Sequence, residues 1–237
     1  MSVQMILFDL DGTLLPMDND EFTRGYFKLL AKKVAHCGYE PEKLVDAIWK
    51  GVAAMVKNDG SVTNEEAFWA EFSGIYGPGC LNDKPVFNEF YAVEFQQARS
   101  FCGFNPKAAE TVSLAKQLGK RTALATNPLF PRVATEHRIR WAGLEPGDFE
   151  LFTTYENTSH CKPNPAYYLD VAAMLSVRPE ECLMVGNDAG EDMAASQQAG
   201  MSAFLLTDCL INRAGLDYSA CPHGGFDELQ SYLRSLD

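Results

Sequence analysis

Five short apolar runs, each closed by turn-forming residues, constrain the fold most. They occupy positions 4–8, 121–125, 150–152, 182–185 and 203–206. Each is too short for a buried helix, and none alternates polar with apolar residues as a strand wetted on one face would. Continuous apolar runs of this length suit strands buried on both faces of a parallel sheet. Helical signals separate them. Asn105-Pro106 reads as an N-cap followed by proline at the first helical position, and Gly119 as the stop. Tyr168, Leu169, Ala172, Ala173 and Leu175 recur at helical spacing within 165–175. Residues 190–199 form a helix that ends at Gly200, and Phe226, Leu229, Tyr232, Leu233 and Leu236 mark a last one. Strand and helix in alternation predict an α/β fold, a Rossmann-like doubly wound parallel sheet.

Residues 17–100 follow another pattern. Candidate helices cover 21–37, 41–57, 65–76 and 86–100, with no convincing strand among them. Thr63-Asn64-Glu65-Glu66 fits a capping box, Pro41 suits a helix start, and Asp59-Gly60 and Gly77-Pro78-Gly79 mark turns. About 80 helical residues exceed what one crossover connection needs. The expected organisation is an all-α block at 17–100, inserted into an α/β core of 1–16 and 101–237.

Composition excludes several classes of function. The 237 residues contain 20 Lys plus Arg against 32 Asp plus Glu, a formal charge of −12. A nucleic-acid scaffold needs the opposite sign, as does adhesion to an anionic membrane. No apolar run approaches the roughly 18–20 residues of a membrane span. The N-terminus enters its first apolar run without a basic segment or cleavage site, so a signal peptide is not expected. The seven cysteines form no C-x-x-C pair and read as reduced thiols, mostly small core residues, of a cytoplasmic protein. The four histidines, His36, His137, His160 and His223, are scattered and read as structural or surface residues. Trp49, Trp69 and Trp141 read as packing residues.

Chemistry concentrates where the apolar runs end. Phe8-Asp9-Leu10-Asp11-Gly12-Thr13 follows the first run, on the edge of an open parallel sheet where ligands bind. Gly12 lets the backbone turn so that two carboxylates share one pocket. Their repulsion calls for a cation, and clustered oxygen ligands favour Mg²⁺. Thr126-Asn127 closes the second run and offers a hydroxyl to a phosphate oxygen. Lys162 precedes Pro163 and so lies in a loop at a helix start. Val185-Gly186-Asn187-Asp188-Ala189-Gly190-Glu191-Asp192 closes the fourth run with an acidic loop.

The order D-x-D, T-N, K-P and G-N-D-x-x-x-D resembles the haloacid dehalogenase-like superfamily of phosphohydrolases, and the inserted block resembles that superfamily's α-helical cap. The resemblance implies a Mg²⁺-dependent phosphatase that cleaves a small phosphorylated metabolite through an aspartyl-phosphate. Asp9 would be the nucleophile and Asp11 the general acid, then base. Thr126 and Asn127 would hold the phosphoryl oxygens, and Lys162 would neutralise charge. Asp9 and the main-chain carbonyl of Asp11 would bind Mg²⁺ with Asn187, Asp188 or both. Asn187 departs from the family, which usually has aspartate there. Asp192 would orient Lys162 or a metal-bound water. An acid at position 11 favours an alcohol leaving group over a halide. A sugar-phosphate phosphomutase on the same core and a non-catalytic phosphate-binding module are the alternatives. The helical block would close over the site and select substrate, with Asp18, Asn19, Asp20 and Arg24 as candidate contacts and Gly103 as a hinge.

Overall fold

The computed structural model describes residues 2–236. Five parallel strands, β1 (Met5–Phe8), β2 (Arg121–Leu124), β3 (Cys182–Gly186), β4 (Ser202–Leu206) and β5 (His223–Gly224), lie in the order β2-β1-β3-β4-β5. Phe8 pairs with Leu124 on one side and Val185 on the other. Ligands in such a sheet bind where the strand order reverses, beside β1 and β3.

The strands are buried on both faces. Ile6, Phe8, Leu183 and Val185 join one hydrophobic cluster, whereas Met5, Leu7, Cys182 and Met184 join another. On the first face lie α5 (Pro106–Gln117), α6 (Arg132–Trp141) and α9 (Phe226–Arg234). On the second lie α7 (Pro165–Met174) and the short α8 (Ala195–Gln198). Each aliphatic side chain so buried stabilises by roughly 1.5–3 kcal/mol. Helix boundaries follow local chemistry. Asn105 and Asn164 accept hydrogen bonds from main-chain N–H groups at the starts of α5 and α7, and Gly119 takes φ +73° past the end of α5.

The segment between β1 and β2 is helical: α1 (Asn19–Val34), α2 (Pro41–Val56), α3 (Asn64–Tyr76) and α4 (Lys84–Ala92). The capping box of α3 forms, with Thr63 and Glu66 as its two partners. Where the helical segment leaves the core and returns, its two ends run side by side: Met17 bridges Cys102 antiparallel, and Gly103 N donates to Pro16 O at 2.7 Å. It also touches the core at a second place. Asn64, fully buried, donates from Nδ2 to Thr158 Oγ1 (3.1 Å) and His160 O (3.2 Å).

Several elements differ from expectation. Residues 150–152 run beside β2, with Glu150 N donating to Thr122 O and Leu124 N to Leu151 O, but only Phe152 forms a bridge. The 3₁₀ turn Pro146–Asp148 immediately before leaves little chain to extend. The helix expected over 86–100 stops at Ala92 and continues as the 3₁₀ segment Glu94–Phe101. The one expected over 21–37 ends at Val34 with a 3₁₀ turn after it. Residues Ala189–Ala194 form a π turn before α8, where a plain helix was expected. Sequence reading assigned no strand to β5 and no helix to α6. Trp49, expected to pack, is half exposed, its ring perpendicular to that of Phe27 with centroids 5.7 Å apart.

Candidate active site

Asp9 is the first residue past β1, and its N–H donates to Val185 O (2.9 Å). Gly12, at φ +84°, turns the next residues back so tightly that a Cβ there would lie 2.4 Å from Asn187 Nδ2. That close approach brings the ends of β1 and β3 together. Lys162 Nζ donates to Asp9 Oδ1 (2.9 Å) and to Asp192 Oδ1 (2.5 Å), and the Lys162 side chain is 1% exposed. The Thr13 hydroxyl lies 3.0 Å from Asp9 Oδ2 and 2.9 Å from Asn187 Oδ1, with one proton to give to either.

Burial works against the charge of Lys162, but Asp192 and Asp9 outweigh it and hold the ammonium well above its ordinary value. Burial raises the Asp192 carboxyl, and Lys162 offsets only part of this. Asp192 also accepts from Asp188 N through Oδ2 (3.0 Å). Gly186 leaves the room for it: a Cβ there would sit 2.2 Å from the Asp192 carboxylate.

Asp188 Oδ1 accepts from the N–H groups of Gly190 (2.7 Å) and Glu191 (2.8 Å), capping the π turn. Asn187 Nδ2 donates to Cys209 O (2.7 Å). Thr126 is buried, and its carbonyl is fixed by the hydroxyls of Thr153 (2.7 Å) and Tyr167 (2.9 Å). Asn127 Nδ2 donates to Glu191 Oε2 (3.0 Å), while Asn127 Oδ1 is buried with no hydrogen-bond partner among the described residues. Burial raises the Glu191 carboxyl.

These side chains open on one cavity of about 300 Å³. Polar residues Asp9, Asp11, Thr126, Asn127, Asn187, Asp188, Glu191 and Asp192 line it together with Met17, Asn19, Phe22, Thr23, Leu129, Phe130, Ile211 and Arg213. Lys162 reaches it through Asp9. The structure therefore brings together every site residue expected from the sequence. Of the candidate substrate contacts, Asn19 lines the cavity. Asp18 instead caps α1 by accepting from Glu21 N (2.8 Å), and Arg24 is exposed and outside the lining. Arg213, 78% exposed and 3.8 Å from Asp20, is the cation on the rim. None of the four histidines lines the cavity.

The sequence reading assigned no role to Thr13, Glu191, Arg213 or Arg138. Thr13 and Glu191 sit inside motifs whose neighbours drew attention first. Arg138, in α6, bonds Asp11 Oδ2 through Nη1, while Asp11 Oδ1 is buried without a hydrogen-bond partner among the described residues. Burial raises the Asp11 carboxyl, Arg138 opposes the rise, and Asp9 adds to it.

The donor set suits a magnesium ion. Among the described residues, no group of three or more His, Cys, Asp or Glu side chains is gathered as a metal cage. Magnesium needs none, since it keeps several waters and takes one or two carboxylates together with substrate phosphate. Five carboxylates line the cavity, while Lys162, Arg138 and Arg213 are the cations bonded to them or on the rim. A phosphate dianion entering there meets an excess of negative charge, which a divalent cation would offset.

The chain is 28% identical to Hexitol phosphatase A of Escherichia coli (strain K12) over 205 residues, 86% of this chain and 81% of that protein. It is 25% identical over 219 residues to protein SUPPRESSOR OF QUENCHING 1, chloroplastic, of Arabidopsis thaliana; that match spans 90% of this chain but only 19% of the much longer relative. The fold is that of the 2-haloacid dehalogenase from Pseudomonas syringae pv. Tomato DC3000, with a TM-score of 0.65, 17% identity and 98% of each chain covered. No helix among the described residues is long and apolar enough to cross a membrane. Residues 3–200 match the haloacid dehalogenase-like hydrolases, and the chain belongs to that family.

Proposed function

We propose that this hydrolase is a Mg²⁺-dependent phosphatase that cleaves a small phosphomonoester through an aspartyl-phosphate on Asp9. The observation that carries the reading is the pairing of two carboxylates at the end of β1. Asp9 is held on one oxygen by Lys162, and Asp11, two residues on, keeps one oxygen without a partner.

An Asp9 oxygen attacks phosphorus as the ester P–O bond breaks, and Asp11 gives its proton to the departing alkoxide. Asp11 then takes a proton from water, whose oxygen bonds phosphorus as the bond to Asp9 breaks, releasing inorganic phosphate. Thr126 and Asn127 bind the phosphoryl oxygens, and Lys162, steadied by Asp192, offsets charge in both halves. Asp9, the Asp11 carbonyl and Asn187, Asp188 or both would hold the metal, which would screen the repulsion between nucleophile and phosphate. An acid at position 11 supports an alcohol rather than a halide as leaving group. Residues 17–100 act as a cap on the core of 1–16 and 101–237, and the apolar side chains Met17, Phe22, Leu129 and Phe130 exclude water above the reacting atoms.

A panel of phosphorylated metabolites assayed with Mg²⁺ and with EDTA tests the reading. Release of inorganic phosphate that requires Mg²⁺ and vanishes in a folded Asp9→Asn variant is expected. Turnover unaffected by EDTA, or retained in Asp9→Asn, refutes it.

A further inference from the structure

Arg138 is the largest side chain fully buried in the described structure. A buried guanidinium is costly unless its charge and its donors are met. Its own helix meets some of them: Nε donates to Ala134 O (3.4 Å) and Nη2 to Thr135 Oγ1 (3.2 Å). Its flat face lies on Phe130, the guanidinium carbon 4.2 Å from the ring centroid. Phe130 in turn lines the cavity. The one carboxylate bonded to Arg138 among the described residues is Asp11, 127 positions away in sequence. A guanidinium held on three sides is a rigid anchor. The carboxylate it grips has one oxygen tied and the other buried without a hydrogen-bond partner among the described residues.

We propose that Arg138 is a positioning residue for proton transfer: it fixes Asp11 through Oδ2 and so leaves Oδ1 as the oxygen that exchanges the proton. The inference rests on the reading of Asp11 as acid and base. As the ester bond breaks, the proton on Oδ1 passes to the leaving oxygen, and the attacking water later returns one to the same atom. A carboxylate free to rotate would present either oxygen in many orientations and lose the alignment that makes transfer efficient. Lysine in place of Arg138 carries the charge but lacks the planar fork that reaches Thr135 and Asp11 together.

Leaving-group dependence tests this. In Arg138→Met, kcat/KM should fall at least about tenfold more for glycerol 2-phosphate than for 4-nitrophenyl phosphate, whose phenolate departs without a proton. This ratio reports only steps up to loss of the alcohol, so the later use of Asp11 as base does not enter. Asp11→Asn should give the same split, and the double variant should lie within about twofold of Asp11→Asn alone. Arg138→Lys retains the buried charge and serves if the Met variant does not fold; a smaller split of the same sign is expected. Equal losses on both substrates, or additive losses in the double variant, overturn the inference. A split in Asp11→Asn with none in either Arg138 variant refutes the role of Arg138 alone. No split in Asp11→Asn refutes the acid itself, and the inference with it.

Discussion

Replacing Lys162 by methionine tests the electrostatics on which the site depends. The ammonium sits between two carboxylates, 2.9 Å from Asp9 and 2.5 Å from Asp192, with 1% of its side chain exposed. Methionine fills most of the volume but leaves two buried carboxylates facing each other without a cation. Breaking a buried pair by removing one partner costs about 3–5 kcal/mol, so unfolding at pH 8 should show a loss of that size. The pH dependence carries the sharper information. In the wild-type protein, burial already raises the Asp192 carboxyl and Lys162 is the largest opposing influence. Without Lys162, the folded-state value rises further above the unfolded one. A carboxyl raised in this way favours the folded state at low pH and loses that contribution as pH climbs through the folded value. The deficit of Lys162→Met relative to wild type should therefore shrink as pH falls from 8 to 5, because protonation removes the unpaired charge. Adding Asp192→Asn to the variant should recover part of the deficit at pH 8. The assay is urea unfolding at several pH values, comparing midpoints at constant slope. A deficit under about 1 kcal/mol, or one that does not change with pH, refutes the reasoning that charge rather than packing holds this cluster.

Two further substitutions probe how the fold supports the site. Gly186→Ala places a Cβ 2.2 Å from the Asp192 carboxylate; the expected outcome is a stability loss of about 1–3 kcal/mol from overpacking and a fall in kcat of about 10²-fold as Lys162 loses its brace, and wild-type turnover in this variant contradicts the assignment. Asn64→Ala removes a fully buried amide that joins the helical segment to the 158–160 loop and accepts from Asn58 Nδ2 at 3.0 Å; thermal unfolding should show a loss of about 1–3 kcal/mol from the unpaired groups left behind, and an unchanged melting temperature argues against this seat.

Elements with a strong local signal were legible in the sequence, and those defined by partners were not. β1 and β3 are apolar on both faces, so composition alone marks them. α3 announces itself because Thr63 and Glu66 satisfy each other within one turn. β5 is two residues long, His223–Gly224, with no apolar run to detect; it exists because β4 offers it an edge. α6 was missed for a related reason. Pro131 precedes it without a side-chain cap, and its inward stripe of Ala134, Ile139 and Trp141 is interrupted by an arginine. Read as a pattern, Arg138 looks solvated; only the fold shows that Phe130 and Asp11 wait on the inside. The same holds at the site. Asp9, Asp11, Thr126, Asn127, Asn187 and Asp188 stand just past run ends, and Lys162 stands before a proline at a helix start; their order along the chain is what carries the family resemblance. Thr13 and Glu191 contribute through contacts with residues far away in the chain, which no spacing rule records.

Asn187 departs from the family's acidic residue, and the charges around it explain why a neutral amide suits the place. Asp9 and Asp192 share Lys162, and Asp11 is matched by Arg138. Glu191 is held by Asn127, and burial pushes its carboxyl up. Asp188 remains, with one oxygen on two main-chain N–H groups. In the proposed site a divalent cation held by Asp9 and Asp188 would already face two negative charges. A further carboxylate at 187 would stand across the Thr13 hydroxyl from Asp9 Oδ2 and repel it, with the incoming phosphate adding to the repulsion. The amide keeps the oxygen in that position, donates through its nitrogen to Cys209 O, and adds no charge. The acidic loop after β3 thus carries a neutral amide at 187 and its carboxylate at 188, where Asp188 caps the π turn that follows.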